Sequence, residues 1–349
     1  MKFGNFLFPE SREPALDERV IDETIAEAKL TEQLGFDAVW LAEHHFDGIC
    51  AYVDPVSFAA ALATVTSRIK IGFAVAQVSL HHPIRLAEQI SLLDNVTKGR
   101  IIAGLGRGTA YNVYDYQGYG IPPEQAQERF EEAETIMLEA WSGEPVEHRG
   151  KYWNLKLPML RPRPYTRPHP FIIRSSGTEE SMLEIARHRR PFLMNVQSND
   201  VTKHRMDLYR ATLRAQGMTE TEVAELVDDC WVWRNVFVAQ TDAEAERVGV
   251  PLFQAMQEHR AAMRERVFKE QGVRLQSHAP GPTAPARTVV EHALIYGSPA
   301  TVAEKLATLD AIGVGGLILS FRLGPMPYEL AASSLRLFAE KVMPTIRRR

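Results

Sequence analysis

Residues 69–105 read IKIGFAVAQVSLHHPIRLAEQISLLDNVTKGRIIAGL, and three segments follow one another inside them. Ile69–Ala76 is a run of β-branched residues and alanines, long enough for a buried strand. A helix is expected from Pro83 to about Val96, with the proline at its first position, where a missing N–H does no harm. Arg100–Leu105 is a second apolar run. Strand, helix and strand in that order make a βαβ unit, whose two strands should lie parallel.

The same rhythm extends in both directions. Strands are expected at Lys2–Pro9 and Ala38–Ala42 upstream, then at Phe171–Arg174, Phe192–Val196, Cys230–Ala239 and Gly315–Ser320 downstream. Helical segments alternate with them: Asp17–Leu34, one opening at Asp54-Pro55, Glu124–Trp141, Thr178–Arg189, Asn199–Ala215, one from Asp242, Ala300–Ile312 and Tyr328–Ile346. Two stretches break the pattern. Ser142–Pro170 carries prolines 145, 158, 162, 164, 168 and 170, and Gln276–Arg287 holds three prolines and a glycine. Both are expected to be irregular. Eight strands alternating with helices predict an α/β fold, the (β/α)8 TIM barrel, as one domain over residues 1–349. The insertions into its βα loops fall near 142–170 and 268–290. A doubly wound open sheet is the competitor. It would carry a glycine-rich fingerprint after an early strand, and here Pro9-Glu10-Ser11-Arg12 follows the first one.

Composition narrows the function. Forty Lys+Arg against 44 Asp+Glu give a formal charge of −4, with no basic footprint for nucleic acid. Cys50 and Cys230 are too few for a disulfide framework or a four-thiolate zinc site. No apolar stretch reaches the ~18 residues of a membrane span, and Met1–Asn5 opens without a signal-peptide core. A soluble, cytoplasmic enzyme or binding protein for small molecules is expected.

In a barrel the chemistry gathers where strands end, and those ends are polar here. After the second strand come Glu43, His44 and His45. Adjacent residues on a strand point to opposite faces, so only one of the histidines can face the barrel mouth directly. Three readings stand: a metal site, which the spacing does not favour; histidines bonded within a rim loop; and a neutral histidine exchanging protons near a cofactor, tuned by Glu43. Gly104–Gly108 lacks the spacing of a dinucleotide fingerprint or a P-loop. It offers either a tight turn or a close backbone approach with one cation, Arg107. Ser175-Ser176-Gly177-Thr178 runs from a strand into a helix, which makes it an N-cap or an anion site. Combined with Arg107, it reads as a phosphate cradle with an arginine clamp.

These residues resemble the bacterial luciferase-like flavin monooxygenases. The likeness runs through Met1–Phe6, Gly35–Phe46, His82–Glu88, Lys98–Gly108, Tyr296–Pro299 and Phe338–Pro344, and is weakest over about 216–289. It implies a barrel that binds FMN, as FMNH2 supplied by a separate flavin reductase. Reaction with O2 would form a flavin C4a-hydroperoxide that oxygenates a small substrate, an aldehyde for example. By this resemblance His44 is the catalytic histidine and Glu43 lies at the cofactor. Arg107 and the Ser175, Ser176, Gly177 and Thr178 segment grip the phosphate, and Arg129 adds a second cation. Ala74-Val75 matches a pair whose peptide bond is often cis under the flavin ring. Such proteins pair, so a homodimer or a heterodimer with a related chain is expected.

The sequence departs from bacterial luciferase at Gly106, where a cysteine stands in that enzyme. It departs again at Tyr111–Asp115, which replaces an aspartate-bearing loop. Both departures argue against light emission. A lid is expected at about Phe268–Thr288. Rival readings keep the barrel with F420 or with FMN and no oxygenation, make the chain a non-catalytic partner subunit, or make it a metal-dependent hydrolase.

Overall fold

The apolar runs become parallel strands because helices cover one face and the barrel interior the other, leaving no wet face for polar alternation. The computed structural model describes residues 1–108, 113–272 and 286–347, with backbone only at 286–289. The strands are β1 (Lys2–Leu7), β2 (Ala38–Leu41), β3 (Lys70–Phe73), β4 (Ala76–Gln77), β5 (Ile101–Gly106), β6 (Val146–Arg149), β7 (Asn154–Leu157), β8 (Phe171–Ser176), β9 (Phe192–Met194), β10 (Trp231–Val238), β11 (Leu294–Gly297) and β12 (Gly316–Ser320). A closed ring runs β1, β2, β3, β5, β8, β9, β10, β12 and back to β1, with every neighbouring pair parallel. This is the expected (β/α)8 barrel.

Its floor is held by two indoles. Trp40 and Trp231 meet edge to face, with ring centroids 5.1 Å apart. Glycines on the neighbouring strands make the room. A Cβ at Gly4 would lie 2.4 Å from Trp40 Nε1, one at Gly72 2.6 Å from Trp40 Cε3, and one at Gly316 2.5 Å from the Trp231 ring. Packing of this density leaves no channel through the barrel and confines chemistry to its carboxyl-end rim.

Four expectations are corrected. Ile69–Ala76 is two strands, because the Ala74–Val75 peptide bond is cis and breaks the run between β3 and β4. Residues 142–170 are not wholly irregular: β6 and β7 form an antiparallel hairpin, Val146 opposite Leu157. Its strands are four residues each and largely polar, too short for alternation to stand out among the prolines. β11, unanticipated, pairs with the second half of β10, Asn235 opposite Leu294. The Tyr328–Ile346 helix is divided, with a π-helical turn at Phe338–Val342 between Tyr328–Leu337 and Met343–Arg347.

The helix from Asp242 runs 30 residues to Gln271, with Pro251 inside it. It touches segments that follow three strands. Arg260 lies over Phe8 after β1, Gln271 accepts from Gln117 after β5, and Met256 abuts Gly324 after β12. It therefore lies across the carboxyl rim. Most of the expected lid, and of the irregular stretch Gln276–Arg287, falls outside the described residues.

Candidate active site

Past the end of β2 the chain keeps its alternation, and this separates Glu43 and His45 from His44. Glu43 is buried. Its Oε1 accepts from His45 Nε2 at 3.1 Å and from His81 Nε2 at 2.8 Å, and its Oε2 accepts from the Gln77 amide at 2.6 Å. Gln77 Nε2 donates to the Glu43 carbonyl at 3.0 Å and to Asp115 at 2.8 Å, and Asp115 accepts from the His45 amide at 3.2 Å. The Tyr119 hydroxyl stands 3.3 Å from His45 Nδ1. Burial alone would raise the Glu43 carboxyl, but His81, His45 and the Gln77 amide hold it down to about 2. The same pairing raises His45 and His81 above the usual histidine value, although burial opposes it. Glu43 thus bonds to His45 and His81, and acts on His44 only through its charge.

His44 has another setting. Its ring lies against Phe8, with centroids 5.2 Å apart, and its amide donates to the Val53 carbonyl at 3.2 Å. Burial first and the Arg260 guanidinium second push its pKa down to about 3, while Glu43 pulls weakly the other way. The imidazole is therefore neutral through the physiological range. Arg260 also sits 5.2 Å over the Phe8 ring and 3.5 Å from the Glu10 carboxylate. Sequence reading missed Arg260. It lies more than 200 residues from His44 in the chain, and no local motif marks an arginine on a long polar helix.

Across the rim, three predicted residues converge. A Cβ on Gly106 would stand 2.6 Å from Val75 Cγ2 and 2.8 Å from Ser175 Oγ, so the absence of a side chain there lets Val75, just before β4, and Ser175 of β8 close on the β5 backbone as one cradle. Ala74 leads into it through the cis bond. Arg107 is exposed at the end of β5, its carbonyl accepting from the Tyr116 hydroxyl. Gly108, at φ 76°, is pressed against Gln77, where a Cβ would meet Oε1 at 1.9 Å. Gln77 thereby links this arc to the Glu43 cluster.

The serine segment divides. Ser175 is exposed on the cradle side, whereas Ser176 is buried and bonds to the Thr178 carbonyl and to Ser181 Oγ, both at 3.1 Å. Thr178 caps the Glu179–Arg187 helix in a reciprocal box with Ser181, and Gly177 is the joint between them. Of the three hydroxyls, the structure brings only that of Ser175 to Gly106. Arg129 stacks 4.9 Å from the rings of both Tyr152 and Trp153 beside the β6–β7 hairpin. Among the described residues, no group of three or more His, Cys, Asp or Glu is placed to hold a metal ion.

The sequence profile described as "luciferase-like monooxygenase" matches residues 1–315. The chain belongs to this family. Its similarity to limonene 1,2-monooxygenase of Rhodococcus erythropolis is 32% identity over 47% of the chain and 42% of that enzyme. To the oxygenase component of flavin-dependent trigonelline monooxygenase of Acinetobacter baylyi it is 26%, over 49% of the chain and 47% of the relative. The match thus spans less than half of either relative. The luciferase-like barrel also superposes on the monooxygenase RslO1 of Streptomyces bottropensis, with a TM-score of 0.84, 26% identity and 99% of each chain covered. Two less similar chains share the fold. One is the oxygenating constituent of 3,6-diketocamphane monooxygenase of Pseudomonas putida, solved with FMN (TM-score 0.77, 24% identity, 99% and 98% covered). The other is an F420-dependent secondary alcohol dehydrogenase (TM-score 0.73, 16% identity, 99% of each chain covered). No described helix is long and apolar enough to cross a membrane.

Proposed function

We propose that this protein is a flavin-dependent monooxygenase, using reduced FMN and O2 to place one oxygen atom on a small organic substrate and to reduce the other to water. One observation carries the reading: Gly106, Val75 and Ser175 meet beside the exposed Arg107 at the carboxyl rim, which also holds a histidine whose pKa is pushed down. Val75 and Ser175 bound that cradle. An exposed arginine and an exposed serine beside a glycine at strand ends are groups of the kind that grip a phosphate. Arg107, Ser175 and the start of the Glu179–Arg187 helix at Gly177 and Thr178 would hold the phosphate, and the Ala74–Val75 step would support the ring. Arg129, Ser176 and Glu43 act behind these groups. When bound, reduced FMN supplies the two electrons that activate O2.

The protein's own residues do the rest. His44, neutral because of burial and Arg260, can take up or return one proton at its imidazole. Phe8 covers one side of that half-buried ring. The similarity to an oxygenase component supports a separate reductase as the source of FMNH2. The shared fold of an F420 enzyme supports a second reading, oxidoreduction with F420 or FMN and no oxygenation. A dimer, with itself or with a related chain, completes the proposal.

Anaerobic titration with FMNH2 and with reduced F420 separates these readings. Stoichiometric FMNH2 binding is expected, with oxygen consumption when substrate follows. His44→Ala should lower oxygenation by ~10²–10⁴-fold, the range of a lost general acid or base, and leave FMNH2 affinity within about threefold. Arg107→Ala should do the reverse, weakening FMNH2 about tenfold or more. Equal losses in the two variants, or tight binding of F420 alone, would overturn the assignment.

A further inference from the structure

We propose that Gln77 is a positioning residue for Arg107: it fixes the backbone turn from which the guanidinium reaches the flavin phosphate. The inference deepens the monooxygenase reading and rests on it for naming the ligand.

Gln77 sits where the two halves of the rim meet. It ends β4, the strand that begins directly after the cis step, and it pairs with Gly106 of β5, the residue before Arg107. The side chain is buried. Both Nε2 hydrogens are committed, one to the Glu43 carbonyl at 3.0 Å and one to Asp115 Oδ2 at 2.8 Å. Two acceptors on that side settle which end of the amide is the nitrogen. Oε1 therefore faces the other way, toward Gly108, where a Cβ would stand 1.9 Å from Oε1 and 2.8 Å from Cδ. This oxygen has no hydrogen-bond partner among the described residues, so what it supplies there is shape. Gly108, at φ 76°, is in the left-handed region that disfavours a side chain, and the Gln77 amide stands where its Cβ would be.

The same turn is gripped from the far side. Tyr116, buried on the Val113–Gly118 helix, donates its hydroxyl to the Arg107 carbonyl. Its neighbour Asp115 is the residue that Gln77 holds. Gln77 thus bears on three consecutive residues: on Gly106 by strand pairing, on Gly108 by contact, and on Arg107 through Asp115 and Tyr116. The Arg107 side chain is itself exposed. A long exposed cation grips an anion better when its backbone is already in place, because less freedom is lost on binding.

Anaerobic titration with FMNH2 and with reduced riboflavin tests this, since the two differ only in the phosphate. The ratio of their dissociation constants reads the phosphate grip. A general loosening of the fold would weaken both and leave the ratio alone. The native protein is expected to prefer FMNH2 about tenfold or more. Gln77→Met keeps the length and loses the amide, and should cut that preference to about threefold or less. With Arg107→Ala already in place, Gln77→Met should change the ratio no further, because the two act on one contact. If Gln77→Met fails to fold, Gln77→Asn takes its place: it keeps a buried amide, withdraws it from Gly108, and should also lower the ratio. A full preference for FMNH2 in the folded variant, or a loss from it that is as large without Arg107 as with it, overturns the proposal and leaves the flavin reading standing. A native protein that binds both flavins equally removes the phosphate grip and overturns the proposal as well. A native protein that binds neither flavin sinks the monooxygenase reading and this proposal together.

Discussion

Behind the carboxyl end of β2, Glu43, His45, His81, Gln77 and Asp115 are joined in a largely buried set of hydrogen bonds, with Gln77 Oε1 left without a partner among the described residues. In front of it, His44 has an aromatic ring on one side and the field of a guanidinium nearby. His44 and His45 are adjacent in the chain, yet one imidazole is driven toward its neutral form and the other toward its charged form. The contrast shows how a barrel rim divides labour. The set behind fixes the backbone, and the residue it presents in front is the one proposed to move a proton. A buried polar set rigidifies through the bonds its members share, so this division can be broken from either side.

The largest expected effect comes from breaking the set behind. Glu43→Gln removes the charge that two histidines face and leaves them buried beside a neutral amide. Removing one partner of such a group destabilises by about 3 kcal/mol. Urea unfolding should show that loss, and FMNH2 binding at 10 °C, where the protein remains folded, should weaken by less than threefold. A large loss of flavin affinity with unchanged stability would mean that Glu43 touches the cofactor directly.

How much of this was legible in the sequence follows from the range of the forces involved. The barrel was, because strand and helix periodicity is local and repeats along the chain. The opposite orientation of His44 and His45 was too, because alternation is a property of neighbours. The partner of Glu43 was not: His81 lies 38 residues away, and only strand pairing brings it to 2.8 Å. Arg260 was hidden more deeply, since its role depends on a helix laid across the rim. The β6–β7 hairpin escaped because its short strands are largely polar and lie among prolines, unlike the equally short but apolar β2. The serine segment was read as one cradle, and the structure turns Ser176 away from it.

The two histidines give a smaller effect with opposite signs. His44 has a folded pKa near 3 against an ordinary 6.5, so the unfolded chain binds the extra proton between those values. Its contribution to stability is full above about 6.5 and falls as pH drops toward 3. Glu43 acts in the same direction over a lower window, between about 4.5 and 2. His45 and His81 are raised, so their contribution is full below 6.5 and falls as pH rises through their folded values. One realised pKa unit is about 1.4 kcal/mol. Stability measured against pH should therefore lose part of its acid slope in His44→Gln and part of its slope above pH 6.5 in His45→Gln. Identical profiles in the two variants would erase the distinction between front and back.

The smallest effect makes the sharpest test, because it divides two adjacent serines by the same alternation. Ser175 stands at the Gly106 cradle, while Ser176 bonds to Thr178 and Ser181 at the helix start. Ser175→Ala removes one donor from the proposed phosphate grip. A single hydrogen bond contributes about 1 kcal/mol, so FMNH2 affinity should fall about fivefold with no change in unfolding. Ser176→Ala removes a buried bond at the cap, so about 1 kcal/mol of stability should go and flavin affinity should hold. If both serines instead weaken flavin binding equally, the phosphate is held by the whole segment, and the helix start must rearrange to release Ser176 from its cap when the cofactor binds.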